Sequence, residues 1–448
     1  MGTFDHGTVQ LLAEALQTLD EGFGRLPDWQ PEGDSEAMRR ALMETAERLH
    51  DNYPYQHPQY MGQMLKPPHA VARTANALAM YLNPNNHALD GGRASSAMEK
   101  EAVAQIAEMF GWREHLGHLC GGGTMANFEA LWVARELNPR QAVAASAQAH
   151  YTHSRLLEVL GVPFVSIAVD TEGRMDVESL AEELSHGEIG TVVASLGTTA
   201  SGSVDPLPAI LELQSQYGFR LHVDTAYGGY FRLVDNLDVD VAAAFERISE
   251  GDSIVVDPHK HGWQPYGCGC VLFRDPGVGR LYQHDSPYTY FTSDELHLGE
   301  ISLECSRPGA AAVALWTTMR VFPLKRGGEF ARSLASCRRA ALSLYVALGE
   351  DPRVVPLFRP DLDIVVWAVR APTATESSAL AQRVFEKAAK VDLHLALARA
   401  PRHMCESAHP VDEWDAKELT CLRACVMKPE HLEWMPQILD RLRSALPG

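Results

Sequence analysis

From about residue 141 the chain alternates short β-branched runs with amphipathic stretches, a period that commits it to a mostly parallel sheet with helices on both faces. Val162 to Val169 reads as a strand, Asp176 to Leu184 as a helix, Thr191 to Ser195 as a strand, Pro206 to Tyr217 as a helix and Arg220 to Val223 as the next strand. A strand closing near Ser146 opens the series, and Ser253 to Val256 and Cys268 to Phe273 extend it. In such sheets ligands bind where the carboxyl ends of the strands meet the loops that follow. Residues 1–70 read as a separate helical segment, periodic from Glu36 to Leu49 and then rich in Pro and aromatics from Asn52 to Tyr60. The main α/β domain spans 71–325, closing with a helix from Pro308 to Phe322 before the Gly327-Gly328 pair. Residues 326–448 read as a small α+β domain, with strands Ile364 to Val369 and Leu422 to Met427 and helices Thr375 to Lys390 and His431 to Leu446.

Charge and cysteine content narrow the partners. Among 448 residues, 39 Lys and Arg face 58 Asp and Glu, a formal charge of −19, which repels nucleic-acid backbones and anionic membrane surfaces. No run approaches the roughly 18 apolar residues a membrane span needs. The amino terminus lacks a basic region followed by an apolar core, and His6 stands where a myristoylation signal wants Ser or Thr. A folded cytoplasmic protein is expected. The 8 cysteines are too scattered for a disulfide scaffold. Cys268 and Cys270 share a strand face as small buried side chains, and His115, His118 and Cys120 match no zinc spacing, so no metal is expected.

Four loops carry residue types that make sense together. Gly121-Gly122-Gly123-Thr124-Met125-Ala126-Asn127 precedes a helix from Phe128 to Leu137; glycines at a helix start expose N–H groups that hold a phosphate. His150 follows the strand near Ser146. Asp224 ends the run Leu221-His222-Val223 and needs a cation at a buried strand end. Lys260, in Val256-Asp257-Pro258-His259-Lys260, stands just past a buried strand, where a desolvated amine attacks carbonyls. A phosphate cradle, a ring-sized His, an acid for a ring nitrogen and a Schiff-base Lys are together what pyridoxal 5'-phosphate (PLP) requires.

On these residues the chain resembles the group II PLP-dependent amino-acid decarboxylases, which include the aromatic-amino-acid, glutamate and archaeal tyrosine/aspartate enzymes. The resemblance runs from His57-Pro-Gln-Tyr-Met-Gly-Gln63 through Leu82-Asn-Pro-Asn85, Gly123 to Asn127, Gly197-Thr-Thr199 and His222 to Ala226, then Asp257 to Lys260, and more weakly to Cys421-Leu-Arg423. It implies the fold type I (aspartate aminotransferase-like) architecture: an α/β large domain holding PLP on a mostly parallel seven-stranded sheet, an N-terminal helical segment swapped between subunits, and a homodimer with active sites at the interface. By matching motif, Gly123 and Thr124 would bind the phosphate, His150 would stack on the ring and Asp224 would pair with its nitrogen. Ala226 would pack beneath the ring, Thr198 or Thr199 would line the cofactor, and Lys260 would form the internal aldimine with His259 beside it.

The same resemblance places Tyr60, Met61 and Gln63 on the substrate side of the pocket and assigns the final proton to a Tyr on a mobile loop. Here that loop, His284 to Ser293, offers Tyr288 and Tyr290 without separating them; both also suit interface packing. Arg93 departs from the family pattern and reads either as a reader of an acidic substrate or as a surface ion pair. Arg423 matches an arginine that grips a carboxylate in glutamate-type relatives, or serves the fold. The expected activity is decarboxylation of an L-amino acid to its amine and CO2. The alternatives are a PLP-dependent carbon–carbon lyase or aminotransferase on the same scaffold, and a silent PLP-binding protein.

Overall fold

The computed structural model describes residues 7–27, 34–283 and 296–447. Seven strands form the larger sheet: β1 (Leu116–Cys120), β2 (Ala142–Ser146), β3 (Phe164–Ile167), β4 (Ile189–Ser195), β5 (Arg220–Asp224), β6 (Ser253–Val256) and β7 (Gly269–Phe273). Their order is β1-β7-β6-β5-β4-β2-β3. β7 runs antiparallel to β1 and β6, and the other pairs are parallel. Every residue of β4, Ile-Gly-Thr-Val-Val-Ala-Ser, is buried, because helices cover both faces and leave no position for the polar alternation of a half-exposed strand.

Helices α1 (Gly7–Phe23), α2 (Ser35–Arg48), α3 (Ala70–Met80) and α4 (Leu89–Met109) precede this sheet. Helices α5 (Gly123–Leu137), α6 (Thr152–Leu160), α7 (Val177–Ser185) and α8 (Leu207–Tyr217) each follow a strand, and α9 (Val239–Glu246) lies between β5 and β6. Their ends obey local chemistry. Asp176 caps α7 by accepting from the backbone N–H groups of Glu178 and Ser179, while Gly161 and Gly218 end α6 and α8 in the left-handed region that glycine tolerates best.

After β7 come α10 (Ala310–Val321), packed on α3 and α4, and α11 (Glu329–Gly349), which leads into a second sheet. That sheet, β8 (Val354–Pro356), β9 (Ile364–Val369), β11 (Ala396–Pro401) and β13 (Glu418–Cys425), is antiparallel in the order β11-β13-β9-β8. The short strands β10 (Ala371–Thr373) and β12 (Val411–Glu413) pair beside it, and α12 (Ala374–Lys390), α13 (Arg402–Cys405) and α14 (His431–Ala445) complete the chain. The second core closes around the fully buried Trp367. No helix among the described residues is long and apolar enough to cross a membrane.

Three elements depart from the sequence reading. β1 lies well before residue 141; its Gly117 admits the neighbouring strand so closely that a Cβ there would sit 2.7 Å from the Val271 carbonyl oxygen. α5 starts at Gly123 rather than Phe128, since packing overrides the weak helix propensity of the glycine-led turn. β13 occupies Glu418–Cys425 rather than Leu422 to Met427, because Leu419 and Thr420 pair with β11. A second close approach joins β7 to the loop after β1: a Cβ on Gly269 would lie 2.6 Å from Gly122 Cα. Gly269→Ala is therefore expected to lower the thermal unfolding midpoint, at a cost of ~1–3 kcal/mol for overpacking. A wild-type midpoint would show that the loop after β1 moves aside freely.

Candidate active site

The strand ends converge on a cavity of about 720 Å³ whose wall includes Gly121 to Met125, His150, Ser195, Thr198, Thr199, Asp224, Ala226, Asp257, His259 and Lys260. They arrive from five strand ends, those of β1, β2, β4, β5 and β6, as the parallel run of β2, β4, β5 and β6 requires. Gly122 caps α5 with φ of +146°, a conformation reserved for glycine, and so aims the unpaired N–H groups of the first helical turn into the cavity. Gly123 leaves room for Asp257, whose Oδ2 would lie 2.6 Å from a Cβ there.

Asp224 is the electrostatic centre. Its Oδ2 accepts from His153 Nε2 at 2.8 Å and from Asn127 Nδ2 at 3.4 Å, and its Oδ1 accepts from the Ala226 N–H at 3.0 Å. Burial alone would raise its pKa, but the hydrogen bond and charge of His153, with the Ala226 N–H, hold it well below the usual carboxylate range. Behind it, burial pushes His222 down to about 3. Neutral His222 then donates from Nε2 to Asn127 Oδ1 at 2.7 Å and accepts at Nδ1 from Ser253 Oγ at 2.9 Å, which fixes the Asn127 amide with its NH2 toward Asp224.

Lys260 Nζ lies 3.1 Å from Asp257 Oδ2. His259 donates from Nδ1 to the Cys268 carbonyl at 2.9 Å, and burial lowers its pKa. His150 accepts from the Thr152 N–H at 3.2 Å, and burial, partly opposed by Asp224, lowers its pKa too. Thr198 Oγ1 is engaged with Ser201 and the Ser203 N–H, so it braces its loop. Ser195 Oγ and Asp257 Oδ1 are buried on the wall with no protein partner among the described residues. A glycine-opened helix N-terminus, an ionised acid across the cavity, a lysine between and polar wall atoms left over fit the phosphate, ring nitrogen and aldehyde of PLP.

The structure brings together Gly123, Thr124, His150, Thr198, Thr199, Asp224, Ala226, His259 and Lys260. It does not bring the substrate-side candidates to this wall within the chain. Met61 is built into the core of the second sheet, with its N–H on the His394 carbonyl and its carbonyl on the Cys425 N–H. Tyr60 is buried among Tyr53, Tyr55 and His394, and Gln63 and Arg93 are exposed. Arg423 is buried and donates to the carbonyls of Thr199 and Gly62. Tyr288 and Tyr290 lie outside the described residues. His118, weighed as a metal ligand, is instead hydrogen-bonded to Glu129 at 2.9 Å. The sequence reading missed His153 and Asn127; their signal was position, His153 at the start of α6 and Asn127 one helical turn into α5.

Residues 125–353 match the family model described as the pyridoxal-dependent decarboxylase conserved domain. The chain belongs to that family, and it is a PLP-dependent amino-acid decarboxylase. It is 28% identical to the L-tyrosine decarboxylase of Enterococcus faecium over 488 aligned positions, covering 84% of this chain and 80% of that one. It is also 28% identical to the L-aspartate decarboxylase of Thermococcus kodakarensis, over 62% of this chain and 72% of that one. Similar solved structures include mouse CSAD, with a TM-score of 0.77 at 20% identity over 96% of this chain and 91% of that one. Oryza sativa TDC with PLP and tryptamine gives a TM-score of 0.78 at 17% identity over 100% of both chains.

The depressed pKa of Asp224 gives a signed pH dependence. Its contribution to stability is complete above the ordinary carboxylate pKa of about 4 and shrinks as pH falls through that value toward the folded one. Wild type is expected to unfold at a higher temperature than Asp224→Asn at about pH 7, with the gap narrowing toward about pH 3. A gap independent of pH would show that Asp224 is not held ionised.

Proposed function

We propose that the cavity decarboxylates an L-amino acid with a large uncharged side chain, aromatic ones foremost. The observation that carries this is that, among the described residues, no arginine is on the cavity wall: Met125, Phe128 and Leu156 line it, while Arg423 donates from Nη1 and Nη2 to the carbonyls of Thr199 and Gly62. The likeness to a tyrosine decarboxylase over most of the chain supports the same choice.

Bound in the cavity, PLP supplies a ring that accepts the electron pair left on the α-carbon when CO2 departs. Gly123 and Thr124 at the α5 N-terminus would hold its phosphate, and Lys260 would hold its aldehyde. Asp224, kept ionised by His153, would keep a proton on the ring nitrogen. His150 and Ala226 would bracket the ring, with Thr198 and Thr199 at its edge. His259, tied through Nδ1 to the Cys268 carbonyl and with Nε2 3.5 Å from Asp257 Oδ2, would border the phosphate end. The proton delivered to the α-carbon is assigned to Tyr288 or Tyr290. Tyr60, Met61, Gln63 and Arg93 would act only through their packing or from a partner subunit.

The assembly proposed is a cytoplasmic homodimer that completes the site. Its support is that α1 and α2 bury no residue within the chain and expose Val9, Leu11, Met38, Leu42 and Met43, a patch that a second copy would cover. The residue boundaries 1–70, 71–325 and 326–448 are proposed as its three structural units.

Purified PLP-loaded protein offered a pool of the common amino acids should release CO2 and yield tyramine, tryptamine or phenethylamine by mass spectrometry. An amine from aspartate or glutamate instead would overturn the substrate reading, and no amine at all the reaction. Lys260→Ala should lose turnover by at least ~10³-fold. Leu42→Glu should shift the molar mass measured by light scattering from dimer to monomer; an unchanged mass would exclude α2 from the interface.

A further inference from the structure

A second cavity of about 510 Å³ lies on the other side of the Lys260 loop, and two buried lysines line it. Lys66 is 9% exposed and Lys428 5%, yet each ammonium is satisfied by a backbone carbonyl rather than a carboxylate: Lys66 Nζ donates to Met427 at 3.2 Å and Lys428 Nζ to Tyr60 at 2.6 Å. Asp363, the buried acid on that side, is already engaged, accepting from Tyr227 Oη at 2.6 Å and lying 3.3 Å from His261 Nε2. Burial and the charge of Lys66 pull Lys428 down to about 7. Two desolvated lysines that meet only the exposed Glu430 and, for Lys66, the already engaged Asp363 are costly as they stand, and neither has a part in the chemistry derived above.

The remaining walls specify what they accept. Trp263 and Phe322, edge to face at 5.5 Å, give an apolar side, and Ser333 and Ser336 of α11 also line the cavity. At the rim Glu329 is paired with Arg332, and the exposed acid Glu430 disfavours a multiply charged anion such as phosphate. We infer that this cavity is a binding site for a monocarboxylate bearing a planar apolar group, its carboxylate between Lys66 and Lys428 and its ring against Trp263. Trp263 is held at φ of +64°, rare for a bulky residue, three positions after Lys260. It stacks on Phe330 at 4.0 Å and on His69 at 5.4 Å, so the site has a preformed aromatic wall.

The test is calorimetric titration of the PLP-loaded full chain with benzoate, and with inorganic phosphate in a parallel arm; loading fills the cofactor's own phosphate cradle. Wild type is expected to bind benzoate with Kd below roughly 10 mM and phosphate at least tenfold more weakly. Lys66→Met and Lys428→Met should each weaken benzoate at least tenfold while keeping the cofactor absorbance and the KM for the amino acid. Ser336→Phe, which keeps both lysines and fills the cavity, should do the same. Benzoate binding unchanged in all three variants, or no binding by wild type, overturns the site. Phosphate binding that equals that of benzoate and is lost in Lys66→Met overturns the ligand class.

Discussion

A carboxylate at the buried end of a central strand governs the arrangement. Asp224 closes β5, where register places it beside Ser195 of β4 and Val255 of β6, so water reaches it only from the cavity. An ionised acid in that setting is tolerable only with several donors in place. They come from three elements: His153 from α6, Asn127 from α5 and the Ala226 N–H from its own loop. One donor is in turn constrained, Asn127 by His222 and His222 by Ser253 of β6. Two helices and two strands are thus positioned by one charge, and a cationic ring nitrogen is what the remaining open side of that charge would receive.

The central strands of both sheets were legible in the sequence because they are buried and read as unbroken apolar runs between turns, as at Ser253–Val256 and Ile364–Val369. β1 was not, because Leu-Gly-His-Leu-Cys mixes a glycine and a histidine whose reasons are tertiary: Gly117 admits the neighbouring strand, and His118 meets Glu129 inside the core. For the site, motif residues at strand ends were readable, since their types have few other uses together. His153 was not, because a histidine on an amphipathic helix has no local signature of the acid it meets 71 residues away. Met61 shows the converse: a motif places it near the substrate, while backbone pairing with His394 and Cys425 sends its side chain into the second core.

The loop that carries Lys260 joins both halves of the molecule. Asp257 and His259 face the cofactor cavity, and His261, fully buried, turns the other way to Asp363, the residue before β9. Asp363 also takes Tyr227 Oη, whose side chain starts from the loop after Asp224. One carboxylate beside the second sheet therefore bonds the loop after the site's acid and lies 3.3 Å from the loop that carries its lysine. Beyond His261 the chain enters the left-handed region at Trp263, and its ring is fixed by Phe330 of α11 and by His69. A loop clamped at Asp257, His261 and Trp263 cannot shift at Lys260 alone. The position of the reactive amine is accordingly a property of the joint between the two sheets, and any ligand or substitution that moves Trp263 or Asp363 acts on the chemistry through that joint.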